Sequence, residues 1–287
     1  MHRRSAIPVF IAALVWGVPV TAQDKPTVAI IGTGNLAGML GPALGERGYP
    51  VVYGSREPER DAVQALVARS GANASATNQR EAAARASIIV LAVPGELLEQ
   101  ASRRLGSLDA KVVVDVSGGR KRVAADGYLE LVPGSAYAER LQARHPKALV
   151  VRVNLPLNAM ALFASPQLLG TPPTVLIASN HPRAREVAAR LMGDVGWDPW
   201  DAGPLRFARV FDAINVMGLI PAQQGRMESY ELKLLPSVPL SCFLDMSELF
   251  GFGRPHDLGN LPAFPGRAAP VSCDEWQRRA GIGAPGR

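Results

Sequence analysis

Apolar residues fall along this chain in short dense runs, each closed by glycine or proline and followed by a segment whose apolar positions recur at helical spacing. Lys25–Gly32 predicts a first strand and Asn35–Arg47 a first helix. Tyr49–Tyr53 predicts a second strand, which ends on Gly54-Ser55-Arg56. A helix opened by proline, a residue suited to a first helical turn, is expected over Pro58–Ala68. A small strand at Ala74–Ala76 and an alanine-rich helix to about Ala84 follow. Ser87–Val93 and Lys111–Val116 are apolar almost without interruption, the pattern of strands buried on both faces of a parallel sheet. Helical spacing resumes over Glu96–Leu105 and Ser135–Arg144, and Ala148–Val153, Thr174–Ala178 and Pro182–Met192 continue as strand, strand and helix. This alternation specifies the α/β class, with a mostly parallel, doubly wound sheet. An apolar helix is expected over Leu205–Leu219, and beyond Pro236 the chain turns to short pieces rich in proline, glycine and aromatics.

Composition leaves that picture standing: of 287 residues, 47% are hydrophobic and 20% charged, an ordinary globular balance. The N-terminus stands apart. Arg3 and Arg4 precede an apolar run from Ile7 to Val20, and Val20-Thr21-Ala22 offers small residues for cleavage. Residues 1–22 therefore read as a signal peptide, and the protein as exported, to the periplasm. That run, broken by Pro8 and Pro19, falls short of the roughly 20 apolar residues that span a bilayer. No membrane span is expected once the signal is removed. The arginine pair leaves twin-arginine export open beside the general route. Loss of Arg3 and Arg4 takes the formal charge from +6 to +4, scattered and without a basic stripe interleaved with aromatics, which argues against nucleic acid as a partner. Cys242 and Cys273 make an even count, which favours one disulfide in an exported chain; two unpaired buried thiols are the alternative.

The turn after the first strand carries the first chemical signal. Gly32-Thr33-Gly34-Asn35-Leu36-Ala37 has the spacing of a Rossmann-type dinucleotide site. Gly32 allows the tight turn, Gly34 lets the backbone approach a pyrophosphate, and the small Ala37 lets the helix pack close to the strand. The start of that helix adds free N–H groups and a partial positive charge. At the end of the second strand, where an acid would bind the ribose hydroxyls of NAD, stand Gly54-Ser55-Arg56. An acid there would repel a 2′-phosphate, whereas Arg56 can grip one with its planar fork. Ser55 can add a hydroxyl donor, and Arg60 lies close by. NADP(H) is therefore expected in preference to NAD.

Several stretches together resemble the NADPH-dependent coenzyme F420 reductases: Gly32–Ala37, Gly54-Ser55-Arg56 with Arg60, Leu91-Ala92-Val93-Pro94, and Asp201-Ala202-Gly203-Pro204-Leu205. Asp115-Val116-Ser117 also looks like the nucleotide domain of the six-transmembrane metalloreductases, and the N-terminal domain of pyrroline-5-carboxylate reductases is a more distant likeness. The resemblance covers about Thr27 to Ile220. It implies phosphate binding by Thr33, Gly34, Asn35 and Leu36 and 2′-phosphate recognition by Ser55, Arg56 and Arg60. It puts Val93 and Pro94 beside the path from adenine to nicotinamide, and Ser117 and Gly118 at the nicotinamide. Asn154–Ala159, including Pro156, and Ala202, Gly203, Pro204 and Leu205 would line the pocket for the hydride acceptor. Relatives form dimers through the C-terminal helical part, so the resemblance implies a homodimer interface over Leu205–Leu235. The resulting organisation is a signal peptide at 1–22, an NADP-binding Rossmann domain at 23–202, a helical segment at 203–235 and a loop-rich extension at 236–287.

No general acid, nucleophile or metal cluster declares itself. His145 and His181 each precede proline in expected loops and read as solvent-facing, and no histidine pair has metal-ligand spacing on one helix. This suits a small-molecule acceptor such as a flavin or coenzyme F420, because hydride transfer between such rings is carried by the cofactors while the protein positions them. The competing expectation is an exported NADP-binding protein without catalysis, since free NADPH is scarce outside the cytoplasm.

Overall fold

The computed structural model describes residues 25–118, 121–132, 137–155 and 172–225, together with Glu275 and Arg278. Residues 1–22, Pro156, Cys242 and Cys273 lie outside the described residues. Backbone contacts divide the chain into two compact units, one ending at Leu232 and the other spanning Lys233–Arg287. All elements below belong to the first.

The dense apolar runs form strands because both of their faces are covered. β1 (Val28–Ile31), β4 (Ile88–Leu91) and β5 (Val112–Asp115) are buried at every residue. Alternate side chains feed two cores. Val28, Ile30, Val90, Val112 and Val114 pack with α1 (Asn35–Glu46) and α6 (Pro182–Asp194) on one face. Ala29, Ile31, Ile89, Leu91 and Val113 pack on the other with α3 (Gln79–Arg85), α4 (Leu98–Arg104) and α5 (Tyr137–Arg144). Each fully buried Val, Ile or Leu contributes about 1.5–3 kcal/mol, so a doubly covered sheet holds itself in place without favourable loop chemistry.

The sheet has eight strands in the order β10-β9-β8-β5-β4-β1-β2-β3, where β2 is Val51–Ser55, β3 Ala74–Asn78, β8 Leu149–Asn154, β9 Thr174–Ala178 and β10 Asp198–Gly203. Every neighbouring pair is parallel except β8 and β9, so β9 and β10 run against the rest. The result is the Rossmann-type α/β fold expected, doubly wound and mostly parallel.

Local differences from the sequence pattern have physical causes. α2 starts at Asp61 rather than Pro58. Residues 57–60 close a turn first, with Arg60 N–H donating to Glu57 O at 3.3 Å, and Arg60 stays extended as the cap. The Glu96–Leu105 helix opens as a 3-10 turn, Gly95–Leu97, and becomes α-helical only at Leu98. Leu205–Phe207 is likewise a 3-10 turn, feeding α7 (Ala208–Gln223). A short antiparallel pair, β6 (Lys121–Val123) with β7 (Leu129–Leu131), follows β5. Its charged, three-residue strands give no apolar run to read, and the Arg122–Glu130 ion pair links them across the hairpin. β10 carries Pro199 and Gly203, which sequence patterns treat as breakers; both are tolerated because β10 is an edge strand.

Candidate functional site

The C-terminal ends of β1, β2, β4, β5 and β8 form one crest of the sheet. α1 leaves β1 for one face and α4 follows β4 onto the other, so a crevice opens between them, where an open α/β sheet binds its ligand. The cleft there encloses about 260 Å³. Its floor is Gly32, Thr33 and Gly34. One wall is Gly54, Ser55, Arg56 and Arg60, and the other is Ala92, Val93, Pro94 and α4.

The glycine turn is held by Gly32 N–H donating to Gly54 O at 3.2 Å and Ala92 N–H donating to Ile31 O at 2.9 Å. Gly32 has φ of +117°, and a Cβ there would lie 2.4 Å from Ala92 O, so the protein itself requires glycine. Gly34 differs: its φ of −84° suits any residue, and a Cβ would meet nothing within 4 Å. The methyl group would stand in the cleft. Glycine at this position keeps open a space that no atom of the described residues fills, as a phosphate cradle requires. α1 begins there with no side-chain cap and no acid in its first turn, leaving its first N–H groups to a ligand. Asn35 and Leu36 are its first two residues and do not line the cleft. Leu36 packs its side chain against the core, so only backbone remains to it as a ligand group.

At the end of β2, Ser55 is buried and its Oγ accepts from Glu57 N–H at 3.1 Å, which folds the turn so that Arg56 and Arg60 stand at the rim. Sequence reasoning missed a third arginine there. Arg104, one helical turn beyond Gln100 on α4, lines the same cleft from across the crevice. Among the described residues none of the three guanidinium groups has a hydrogen-bond or ion-pair partner, and the lining includes a single carboxylate, Glu57. The donor set, three arginines beside a serine with no acid ending β2, fits the 2′-phosphate of NADP(H).

Farther along the crest the chemistry changes from exposed to buried charge. Asp115 ends β5, and its Oδ1 accepts from Ser117 N–H at 2.8 Å, setting the loop that carries Gly118. Arg152, in register with Asp115 on β8, is 1% exposed. It donates to Asp115 O at 3.2 Å, to Val153 O at 2.7 Å and to Asp212 Oδ1 on α7 at 3.2 Å, with Asp115 Oδ2 3.9 Å away. Burial raises the pKa of Asp212 above the usual carboxylate value, and Asp115 adds to the rise while Arg152 opposes it. Among the described residues Ser117 Oγ, Asn154 Oδ1 and Asp115 Oδ2 are buried with no hydrogen-bond partner. Lys121, at the start of β6, reaches back over this loop: a Cβ at Gly118 would lie 2.5 Å from its Nζ. Burial lowers the pKa of Lys121, with Asp212 and Glu96 opposing and Arg152 assisting. Lys121, Arg152 and Asp212 had no sequence signal, because they lie far apart in the chain and converge only through the crossover order of the sheet.

The expected acceptor lining divides. Asn154 is on the crest, and Pro156 lies outside the described residues. Ala202, Gly203 and Pro204 are elsewhere. β9 reverses direction, pairing Ala178 with Arg152 and Leu176 with Asn154, so the ends of β9 and β10 point away from the crest. Ser179 Oγ donates to Val150 O at 2.5 Å and Ser179 N–H donates to Gly203 O at 2.9 Å, placing this corner toward the start of β8. The Asp201–Leu205 motif instead shapes the approach to α7. Gly203 N–H donates to Asp201 Oδ1 at 2.7 Å, Gly203 adopts φ of +89°, and Leu205 N–H donates to Asn180 Oδ1 at 3.1 Å. The histidines are also corrected. His145 and His181 are half-buried rather than solvent-facing; His181 Nε2 lies 3.0 Å from Gln142 Oε1, and burial lowers the pKa of His145. No cluster of His, Cys, Asp and Glu among the described residues could hold a metal ion.

Residues 27–119 match the family described as NADP oxidoreductase, coenzyme F420-dependent. Metalloreductase STEAP3 of Rattus norvegicus is 30% identical over 200 residues, which cover 70% of this chain and 38% of that protein. Metalloreductase STEAP2 of Homo sapiens is 29% identical over 187 residues, covering 64% of this chain and 35% of that protein. The chain spans little more than a third of the length of the curated relatives it matches. Among solved structures, a chain from Arthrobacter sp. fb24 assigned to the F420-dependent NADP-reductases has 22% identity and a TM-score of 0.64, covering 74% of this chain and 100% of that one. At that identity the likeness is one of fold.

Proposed function

With residues 27–119 matching the family described as NADP oxidoreductase, coenzyme F420-dependent, we propose that this chain is an NADP(H)-dependent oxidoreductase whose hydride acceptor is a flavin or deazaflavin ring. The observation that carries the nucleotide half is the cleft itself. Gly34 keeps the floor open while Arg56, Arg60 and Arg104, without partners among the described residues, face it beside Ser55. A dinucleotide lying along the crest would set its 2′-phosphate between those arginines and its pyrophosphate on the N–H groups that open α1. Val93 and Pro94 would border its path toward Ser117 and Gly118. Bound there, NADP(H) supplies or receives a hydride. The chain's part is to orient the ring, exclude water and stabilise charge that appears on the acceptor. Support for a ring-shaped acceptor is the match of residues 27–119 to the family described as NADP oxidoreductase, coenzyme F420-dependent.

Export through residues 1–22 and a homodimer through 205–235 complete the reading. Val210, Met217 and Ile220 are exposed along α7, which favours a partner copy on that helix. Titration of the purified protein with NADPH and NADH tests the first half, and equal affinity for the two would sink the Arg56 assignment. Screening NADPH oxidation against flavins, coenzyme F420 and ferric chelates tests the second. Tight nucleotide binding with no turnover on any acceptor would instead identify a binding module.

A further inference from the structure

Hydride transfer to a flavin or deazaflavin ring leaves an unfinished balance. The ring gains two electrons and one proton as hydride and becomes an anion, so a second proton, or a fixed cation, is needed where that charge collects. Resting on the reading above, we propose that Lys121 is the catalytic residue that completes the balance. Its ammonium group, held over Gly118 at the end of β5, faces the anion formed on the acceptor and gives it a proton. The nicotinamide dinucleotide supplies the hydride and Lys121 the proton. The resulting amine then recovers a proton from water, so each turnover consumes one hydride and one solvent proton.

Three features of the fold put Lys121 in that position. The cleft fixes the direction of the dinucleotide: arginines mark its adenosine end beside β2, and the glycine turn marks its pyrophosphate at β1. With β4 and then β5 next in the sheet, its reactive end arrives at Ser117 and Gly118. The absence of a side chain at Gly118 admits the lysine, since a Cβ there would lie 2.5 Å from Nζ. The hairpin that carries Lys121 is anchored from behind, where Leu129 N–H donates to Gln223 Oε1 of α7 at 2.5 Å and Arg122 pairs with Glu130. The groups facing the ammonium come from every element around it: Asp212 from α7, Arg152 from β8 and Glu96 from the turn after β4, with Asp115 of β5 behind Arg152. Asp212 and Glu96 keep it charged, while burial and Arg152 ease loss of its proton. Ser117 Oγ and Asn154 Oδ1, buried and with no hydrogen-bond partner among the described residues, lie at the same ends of β5 and β8, where a polar ring edge would give them partners.

The test compares wild type with Lys121→Met and Lys121→Arg in the full chain, using NADPH with a flavin or coenzyme F420. A proton-donating ammonium acts below its pKa, and its effect is lost as pH rises through that value. Wild-type turnover should therefore fall on an alkaline limb lying below the ordinary lysine value of about 10.4. K121M should be slower by about 100-fold and lack the limb. K121R should keep more of the rate and also lack the limb, because guanidinium stays protonated. NADPH affinity, read by fluorescence titration, should stay within about twofold in both variants, since neither touches the phosphate end. A readout independent of turnover is competitive acetylation of the wild-type lysines across pH, followed by mass spectrometry. Lys121 should react as a group titrating below the ordinary lysine range and become protected when NADP+ and oxidised flavin are added. Unchanged rate and pH profile in K121M and K121R, or a Lys121 that labels as an ordinary exposed lysine, would overturn the proposal. Failure of wild type to bind NADPH would overturn the functional reading beneath it instead.

Discussion

The two ends of the crest solve the problem of holding charge in opposite ways. At the nucleotide end the charges are exposed, carry no partner among the described residues and sit on loops and a helix within one stretch of the sheet: Arg56 and Arg60 after β2, and Arg104 on α4. At the other end, where β5 and β8 finish, the charges are buried and gathered together, with Arg152 hydrogen-bonded to the Asp212 carboxylate and 3.9 Å from that of Asp115. Surface charges kept free are suited to a ligand that arrives bearing its own. Buried charges cannot be left free, because an unpaired ion in the interior costs several kcal/mol. One end therefore contributes to binding with little effect on stability, and the other should do the reverse.

The largest effect expected is at the buried end. Arg152→Ala would leave Asp115 and Asp212 buried without their cation, and should destabilise the fold by about 3–5 kcal/mol, read as a fall in the urea midpoint. A loss below about 1 kcal/mol would mean that the triad behaves like a surface pair. Next comes a contrast inside the glycine turn. Gly32→Ala should cost about 3 kcal/mol of stability, through positive φ and the clash with Ala92 O. Gly34→Ala should cost less than about 1 kcal/mol yet weaken NADPH about tenfold or more, since its methyl group intrudes only on the ligand. Equal thermal losses in the two variants would break the distinction. Arg56→Ala should weaken NADPH by about 1.5–3 kcal/mol, leave NADH unchanged and move the melting temperature little. Arg104→Ala should act in the same direction, by about threefold, because it reaches the cleft from the far wall as one of three cations. An Arg104 variant that weakened NADH as much as NADPH would place that side chain against the adenosine and away from the 2′-phosphate.

What could be read in advance follows the same division. Ser55-Arg56 and Gly32–Ala37 are contiguous motifs whose meaning depends on a strand ending and a helix beginning, and the apolar runs announce both. The buried strands were legible for that reason, Thr174–Ala178 to the residue. The β6–β7 hairpin was not, since strands of three residues are too short to establish a period and its register is fixed by the Arg122–Glu130 pair and by Gln223 of α7. The Asp201–Leu205 run was recognisable as a motif but not as a place. Its sequence cannot say that β9 turns against β8, and that reversal carries Ala202–Pro204 away from the crest.

The sequence by itself determined the α/β alternation, the glycine turn, the preference for a 2′-phosphate and the likeness to the coenzyme F420-dependent oxidoreductases. All of these rest on interactions between residues near one another along the chain, or on periodicities that a single strand or helix displays alone. Only the tertiary structure decided that Arg104 joins Arg56, that Asp115, Arg152 and Asp212 form a buried triad, and that Lys121 lies over Gly118. These depend on which strands become neighbours and in which direction. That order emerges from packing both faces of the whole sheet at once, and no single segment encodes it.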